Sequence, residues 1–184
     1  MPHSFWRDPW VDLIHMNKIT FESFPLWMAA MADTVAFGIY IIGAYIMFKF
    51  GAVFGWLYLF FCLIVEIGVM RLSCIHCYYY GKLCGLGRGK LASLFFGKGD
   101  PKKFLEKKIT WKDLIPDLLV ALIPFIIGIY LLIVAFSLAI LFLIILLFAL
   151  ATLGNGIVRS NFACKYCKQK ELGCPAEKLF AKAK

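Results

Sequence analysis

The sequence has few charged side chains, which make up 17% of its residues against 62% that are hydrophobic. A soluble domain normally has about a quarter of its residues charged, so the composition excludes a water-soluble globule. Intrinsic disorder is excluded as well, because 18 Phe, 8 Tyr and 5 Trp are typical of a chain that buries apolar surface. What remains is an integral membrane protein.

Long stretches of the chain contain no charge at all. None lies between Leu118 and Val158, and one helix of that length would measure roughly 60 Å, twice the ~30 Å hydrocarbon layer. The run must therefore cross the bilayer twice, with a turn near residues 135–137. The same reasoning predicts two crossings before it, joined near Lys49. We expect transmembrane helices at about 25–48, 52–71, 114–134 and 138–157.

Basic residues are distributed unevenly around these crossings. Sixteen Lys and Arg lie in residues 72–112 and 158–184, whereas the connections within the two helix pairs contain Lys49 alone. By the positive-inside rule, both termini and the middle segment are cytoplasmic, in a multi-pass protein of the inner or plasma membrane. This distribution also explains the net charge of +9 through anionic lipid headgroups, with no nucleic acid as a partner.

These features divide the chain into five segments. Residues 1–24 form an amphipathic segment in the headgroup layer, since Trp6 and Trp10 alternate with charged residues and no signal-peptide core is present. In the linker, Asp100 and Pro101 predict a helix start. We expect the helix after them to direct Phe104, Leu105 and Ile109 toward the membrane. The remaining segments are a first hairpin at 25–71, a cysteine segment with a basic amphipathic linker at 72–112, a second hairpin at 113–157, and a second cysteine segment with a basic tail at 158–184.

Six of the seven cysteines form two triads with the same spacing, Cys-x2-Cys-x6-Cys. Matching cysteines of the two triads are 90 residues apart, and each triad follows a predicted hairpin. The expected fold class is therefore an all-α membrane protein with four transmembrane helices, in which a hairpin followed by a cytoplasmic triad occurs twice as an internal repeat. The triads are Cys74, Cys77 and Cys84, and Cys164, Cys167 and Cys174.

Cytoplasmic thiols are kept reduced, so this spacing favours metal ligation over disulfides. A Cys-x2-Cys turn brings two thiolates to one ion, and zinc is the first expectation, with the protein as a binding or assembly component. The spacing resembles that of the binuclear zinc clusters of fungal transcription factors, which implies two zinc ions held by six thiolates, two of them bridging. The resemblance is limited to cysteine spacing and implies no DNA-binding function.

Other uses of the cysteines stay open at this point. A simpler centre takes four sulfurs, from Cys74, Cys77, Cys164 and Cys167, and His76 is a further candidate ligand. Iron–sulfur clusters would instead make the protein an electron-transfer subunit of a membrane redox complex. A redox-active thiol pair and simple packing of small apolar side chains complete the alternatives.

Asp33, Glu66 and Asn155 fall within predicted crossings, toward the cytoplasmic end, as does Asp117, which we expect at the interface close to Lys112. An ionisable residue at membrane depth is unfavourable and indicates a functional role by default. A third hypothesis is therefore a metal-ion carrier or membrane enzyme in which the cysteines deliver an ion to the acidic pair. Arg71 is the expected neighbour of Glu66. Whether the chain is an enzyme, a subunit of a larger complex or a homo-oligomer is left open.

Overall fold

A computed structural model describes residues 20–106 and 111–175, with the side chains of residues 111 and 112 excepted. The regular secondary structure of these residues is helical throughout. The expectations for residues 1–19, for Ile109 and for the tail beyond residue 175 lie outside the described residues.

Four of the described helices are long and apolar enough to cross a bilayer, which confirms the predicted number of crossings and the membrane class. The fourth extends six residues beyond the predicted end at 157 and leads directly into the second cysteine triad. The four spans are Leu26–Phe50, Ala52–His76, Asp113–Val134 and Leu138–Ala163.

The fourth span is not one regular helix. Two π-helical stretches, Leu150–Gly154 and Val158–Ala163, flank the single α-turn Asn155–Ile157, and all three continue from the helix Leu138–Ala149. A 3-10 turn at Cys74–His76 similarly continues the helix Ala52–Leu72. The helices in chain order are α1 Leu26–Phe50, α2 Ala52–Leu72, α3 Arg88–Phe95, α4 Pro101–Glu106, α5 Trp111–Val134, α6 Leu138–Ala149, α7 Asn155–Ile157 and α8 Lys168–Gly173.

Helix α1 lies at the centre of the bundle, where it packs against α2, α5 and α6. Its side chain Ile46 is fully buried, and so is Leu147 of α6. The outer faces carry exposed apolar side chains such as Ile133 and Leu138. This distribution is expected of a protein whose solvent is hydrocarbon, because lipid tails are as apolar as the core itself.

A proline in α5 explains one polar contact inside the bundle. Pro124 has no N–H to donate to the carbonyl of Val120, four residues earlier. Tyr58 of α2 donates its hydroxyl to that carbonyl at 2.8 Å. Gly43 of α1 leaves room for the phenol, since a Cβ there would collide with the Tyr58 hydroxyl. The contact joins three helices while satisfying a carbonyl that no water can reach.

The segments outside the bundle that contain the triads gather at one end of it. This is the end where α1 begins and where α2 and the fourth span finish. We call residues 20–25, 73–106 and 164–175 the cap.

Candidate metal centre

A short stretch of chain before α1 joins the two cysteine segments. The amide of Phe21 donates to the Tyr166 carbonyl at 3.0 Å, beside the isolated bridge between Phe21 and Cys167. Three residues later, the amide of Phe24 donates to the Leu83 carbonyl at 2.9 Å. Residues 21–24 therefore lie between the first and second triads and bond to the backbone of both segments.

Tyr79 makes the same connection from its side chain. Its hydroxyl donates to the Phe21 carbonyl at 2.6 Å and accepts from the amide of Lys168 at 2.9 Å. The residue is 2% exposed, so both bonds are protected from water. Burial raises the pKa of the phenol, although the Lys168 amide opposes the shift. Tyr79 consequently stays neutral and keeps both its donor and its acceptor roles.

The buried side chain of Gln169 supplies a further link. Its Oε1 accepts from the amide of Tyr78 at 2.8 Å and lies 3.7 Å from the Cys77 sulfur. Gln169 follows Cys167 by two residues, so a side chain of the second triad satisfies the backbone of the first. Segments some 90 residues apart in sequence thus form one small folded unit.

A small apolar core supports this unit. Phe24, Met28 and Tyr79 are its buried centre. The close approach at Gly85 requires glycine, because a Cβ there would lie 2.9 Å from the Ala163 backbone. Cysteines of both triads are among the half-buried residues that pack against this centre: Cys77, Cys84 and Cys167.

Thiols of the two triads interact with one another electrostatically. Burial raises the pKa of Cys77 to about 11, with the neighbouring Cys84 and Cys174 adding to the shift. Burial likewise raises the pKa of Cys167 to about 12, and Cys77 and Cys174 contribute in the same direction. Cys74 belongs to the same group, since it interacts with Cys84 and Cys77. No disulfide joins any of the seven cysteines, all of which lie in the described part of the chain, so these thiols are neighbours in the reduced state.

Backbone amides are directed at three of these sulfurs. Cys84 Sγ accepts from the amide of Gly89 at 3.2 Å. The amides of Tyr78 and Tyr79 favour the thiolate of Cys77 and partly offset the effect of burial on its pKa. The amides of Gln169 and Lys170 do the same for Cys167. Because hydrogen bonds to the charged form favour it, these sulfurs have the surroundings that a metal-bound thiolate needs.

The remaining candidate ligands differ in their exposure. Cys74 is half-buried in the 3-10 turn, like the other interacting cysteines, whereas Cys164 is exposed. His76 Nδ1 donates to the Asp100 carbonyl at 2.9 Å, which leaves Nε2 as the ring nitrogen with a lone pair. A backbone carbonyl is a usual partner for the second nitrogen of a ligating histidine, so His76 stays a candidate.

Among the residues that the structure describes, no three His, Cys, Asp or Glu side chains already surround a common point. The four-sulfur set expected from sequence is matched in part: Cys74, Cys77 and Cys167 belong to the group of interacting thiols, whereas Cys164 is exposed. Cys84 and Cys174, which that set left out, also interact with Cys77.

The intramembrane Glu66 has a partner that the sequence did not reveal. Its carboxylate accepts from Arg88, at the start of α3, and from the hydroxyl of Tyr40 in α1. Burial opposes the charged form of Arg88, but the Glu66 carboxylate together with Tyr40 and Asp117 outweighs this effect and raises the pKa of the guanidinium. Arg71, the expected neighbour, is exposed. A basic residue of the cap therefore reaches into the bundle to pair with a half-buried acid.

Asp33 and Asn155 have more local surroundings. The carboxylate of Asp33 lies against the backbone of Gly87, which has φ of 71° and no room for a Cβ. Asn155 Nδ2 donates to the Ala151 carbonyl of its own helix at 3.4 Å. Farther along the same span, Arg159 pairs with Asp117 of α5 at 3.3 Å. Acidic and basic side chains thus meet at the end of the bundle that carries the cap.

Sequence reasoning missed Arg88, Tyr40 and Gln169. The first lies in a glycine-rich stretch, residues 85–90, with glycine at positions 85, 87 and 89. The glycines at 87 and 89 are the signal in retrospect, since such a turn permits the close backbone approach that carries Arg88 to the bundle. For Tyr40 and Gln169 no sequence signal distinguishes them from other membrane-facing or surface residues.

Comparison of the chain with protein-family models, with curated proteins and with solved structures finds no match.

Proposed function

We propose that this protein is a multi-pass membrane protein whose two cysteine triads bind zinc together in the cap. The observation that supports the proposal is the convergence of thiols from both triads, with backbone amides directed at the sulfurs of Cys77, Cys84 and Cys167. In this proposal those three sulfurs and Cys174 form a tetrahedral centre, the usual arrangement for structural zinc.

The topology belongs to the same proposal. Two hairpins, α1 with α2 and α5 with the fourth span, are each followed by a triad and form an internal repeat with the cap on the cytoplasmic side. The exposed lysines of the cap support this orientation through the positive-inside rule. A cytoplasmic cap keeps the thiols reduced, which is the state in which they bind metal. The exposed lysines in question are Lys90, Lys98, Lys102, Lys103 and Lys165.

The role of the metal would be to fasten the two halves of the chain together. The cap core is small, with Phe24, Met28 and Tyr79 as its buried apolar cluster, and small domains commonly need a metal for stability. A four-thiolate centre would hold the end of α2 against the end of the fourth span. We infer a binding or assembly component, with Arg88 and Glu66 fixing the cap to the bundle.

Metal analysis of the full-length chain, purified in detergent under reducing conditions, tests the proposal. One zinc per chain is expected from the four-sulfur centre, and two would instead indicate six thiolates with two bridging sulfurs. Finding iron and inorganic sulfide in place of zinc would support the electron-transfer alternative. Failure to retain or take up any metal would refute metal binding altogether.

Serine variants identify the ligands. Cys84→Ser and Cys174→Ser are expected to remove the bound metal, and cobalt-substituted protein should lose the absorption bands of a tetrahedral sulfur site. Cys164→Ser is expected to retain the metal, because that residue lies at the exposed edge of the group. Cys62→Ala, in the bundle core, is the control that removes a thiol outside both triads. Loss of metal in Cys164→Ser but not in Cys174→Ser would favour the four-sulfur set expected from sequence.

The carrier or enzyme hypothesis predicts a functional role for Asp33, which the structural-zinc proposal does not. Asp33 is half-buried beside Gly87 and lies near the Glu66–Arg88 pair, so Asp33→Asn should abolish ion uptake while the cap keeps its metal. Unchanged uptake in that variant would remove this hypothesis and leave the metal with a structural role.

A further inference from the structure

Helix α3 presents two different faces. Gly89 and Ala92 point into the cap and are buried, with Ala92 fully inaccessible. On the opposite side, Leu91, Leu94 and Phe95 are 44%, 72% and 69% exposed. The spacing i, i+3, i+4 puts these three large apolar side chains on one stripe of the helix. The described part of the chain leaves this stripe uncovered.

The position of α3 along the bundle axis follows from two contacts of its first turn. Asp33, which lies against Gly87, is 18 residues before the tight connection at Gly51. At about 1.5 Å per residue this places Gly87 roughly 27 Å from the connection. Glu66, the partner of Arg88, is 15 residues beyond Gly51, or about 22 Å along the axis. Because the hydrocarbon layer is ~30 Å thick, α3 begins at the membrane boundary.

The charges beside the stripe are mainly positive. Lys90 and Lys98 are exposed on either side of it, and Lys102 and Lys103 follow in α4. The acidic residues of this stretch are Asp100, whose carboxylate caps α4 by accepting from the amide of Lys102 at 2.9 Å, and Glu106 at the end of that helix. A basic helix with one apolar face is the arrangement that lies in the surface of an anionic bilayer.

We propose that α3 is an interfacial helix that binds anionic phospholipid of the bilayer that holds the four long helices. Leu91, Leu94 and Phe95 then lie among the upper acyl chains, and Lys90 and Lys98 contact the headgroups. The sequence had given this role to the helix after Pro101. In α4, Phe104 is half-buried, and Leu105 is 36% exposed and lies 3.4 Å from the position of a Cβ on Gly173. The described part of α4 therefore exposes less apolar surface than α3. The proposal does not depend on the metal.

The full-length chain in nanodiscs tests this surface. One set of discs contains phosphatidylcholine alone, and the other a three-to-one mixture of phosphatidylcholine and phosphatidylglycerol. A fluorescent noncanonical residue at position 94 reports depth through quenching by lipids that carry a nitroxide near the headgroup. Hydrogen exchange of the α3 amides reports how firmly the helix is held. We expect quenching in both discs and slower exchange in the anionic ones.

The lysines separate lipid charge from apolar insertion. In the wild type, exchange of the α3 amides should be about 25-fold slower in the anionic discs, since each of the two lysines at an anionic surface contributes roughly fivefold. Lys90→Gln combined with Lys98→Gln should remove this difference. Lys49→Gln, at the other end of the bundle, is the matched control and should change nothing. Absence of quenching in both discs would overturn the proposal. If the α3 amides are protected from exchange only in discs that contain two chains, the proposal is overturned and the stripe binds a second copy of the chain instead.

Discussion

The hydrogen bond between Tyr58 and Val120 predicts an unusual rescue. Tyr58→Phe removes the hydroxyl that satisfies the Val120 carbonyl while it preserves the aromatic ring. The carbonyl is then left without a donor, because Pro124 occupies the position from which the helix would otherwise supply one. Pro124→Ala restores an amide at that position. The second substitution should therefore stabilise the Tyr58→Phe protein more than it stabilises the wild type.

The loss of stability expected for Tyr58→Phe follows from the burial of both partners. Tyr58 and Val120 are 3% and 4% exposed, so no water replaces the lost hydroxyl. An unsatisfied buried group costs about 1–3 kcal/mol, and we take about 2 kcal/mol, which corresponds to a thirtyfold change in the unfolding equilibrium. If the new amide satisfies the carbonyl fully, the coupling between the two substitutions should approach the same value.

Reversible unfolding of the four proteins in mixed detergent micelles measures this coupling. Tyr130→Phe is the control, since its ring is half exposed to lipid and its hydroxyl should not affect the free energy of unfolding by more than a few tenths of a kcal/mol. An additive cycle, or a Tyr58→Phe protein as stable as the wild type, would show that the hydroxyl does not compensate for the proline.

Two further predictions concern the attachment and integrity of the cap. Glu66→Leu removes the carboxylate that pairs with Arg88 and should destabilise docking of α3 by about 3 kcal/mol. Faster hydrogen exchange of the α3 amides measures this loss. Adding Arg88→Met should restore much of the protection against exchange. If the double variant is worse than either single one, the pair is not the anchor. Tyr79→Phe removes the bonds to the Phe21 carbonyl and the Lys168 amide and should lower the stability of the cap by about 1–3 kcal/mol, measured by exchange at the Lys168 amide. Unchanged exchange there would contradict the role given to the hydroxyl.

The crossings could be predicted because the bilayer imposes a simple rule on the sequence. Charge-free stretches of known length can satisfy their backbone only as helices, and the bounds of helices α1 and α2 agree with the predicted ones within about two residues. The predicted end of the fourth span, at residue 157, was wrong because the charged residue Arg159 suggested that the chain leaves the membrane there. In the structure Arg159 pairs with Asp117 and the helix continues.

The cap was less accessible to sequence reasoning, because its contacts join residues far apart in the chain. Spacing identified the cysteines as a group, but it could not indicate that Cys84 and Cys174 lie nearer the centre than Cys164. Nor could it pair Glu66 with Arg88, since both the loop geometry and the glycine at 87 are needed to direct that side chain inward. Such pairings depend on tertiary packing, which local pattern does not encode.

The two π-helical stretches of the fourth span set the rotational phase of everything that follows them. A π turn accommodates one more residue than an α turn, so deleting a single residue within Leu150–Gly154 would allow that stretch to revert to regular α-helix. Each residue of an α-helix advances by about 100°, and the exit strand would then leave the bundle on another side. Cys167 and Gln169 would be carried away from Cys77 and Tyr78, although no side chain of the cap had been altered.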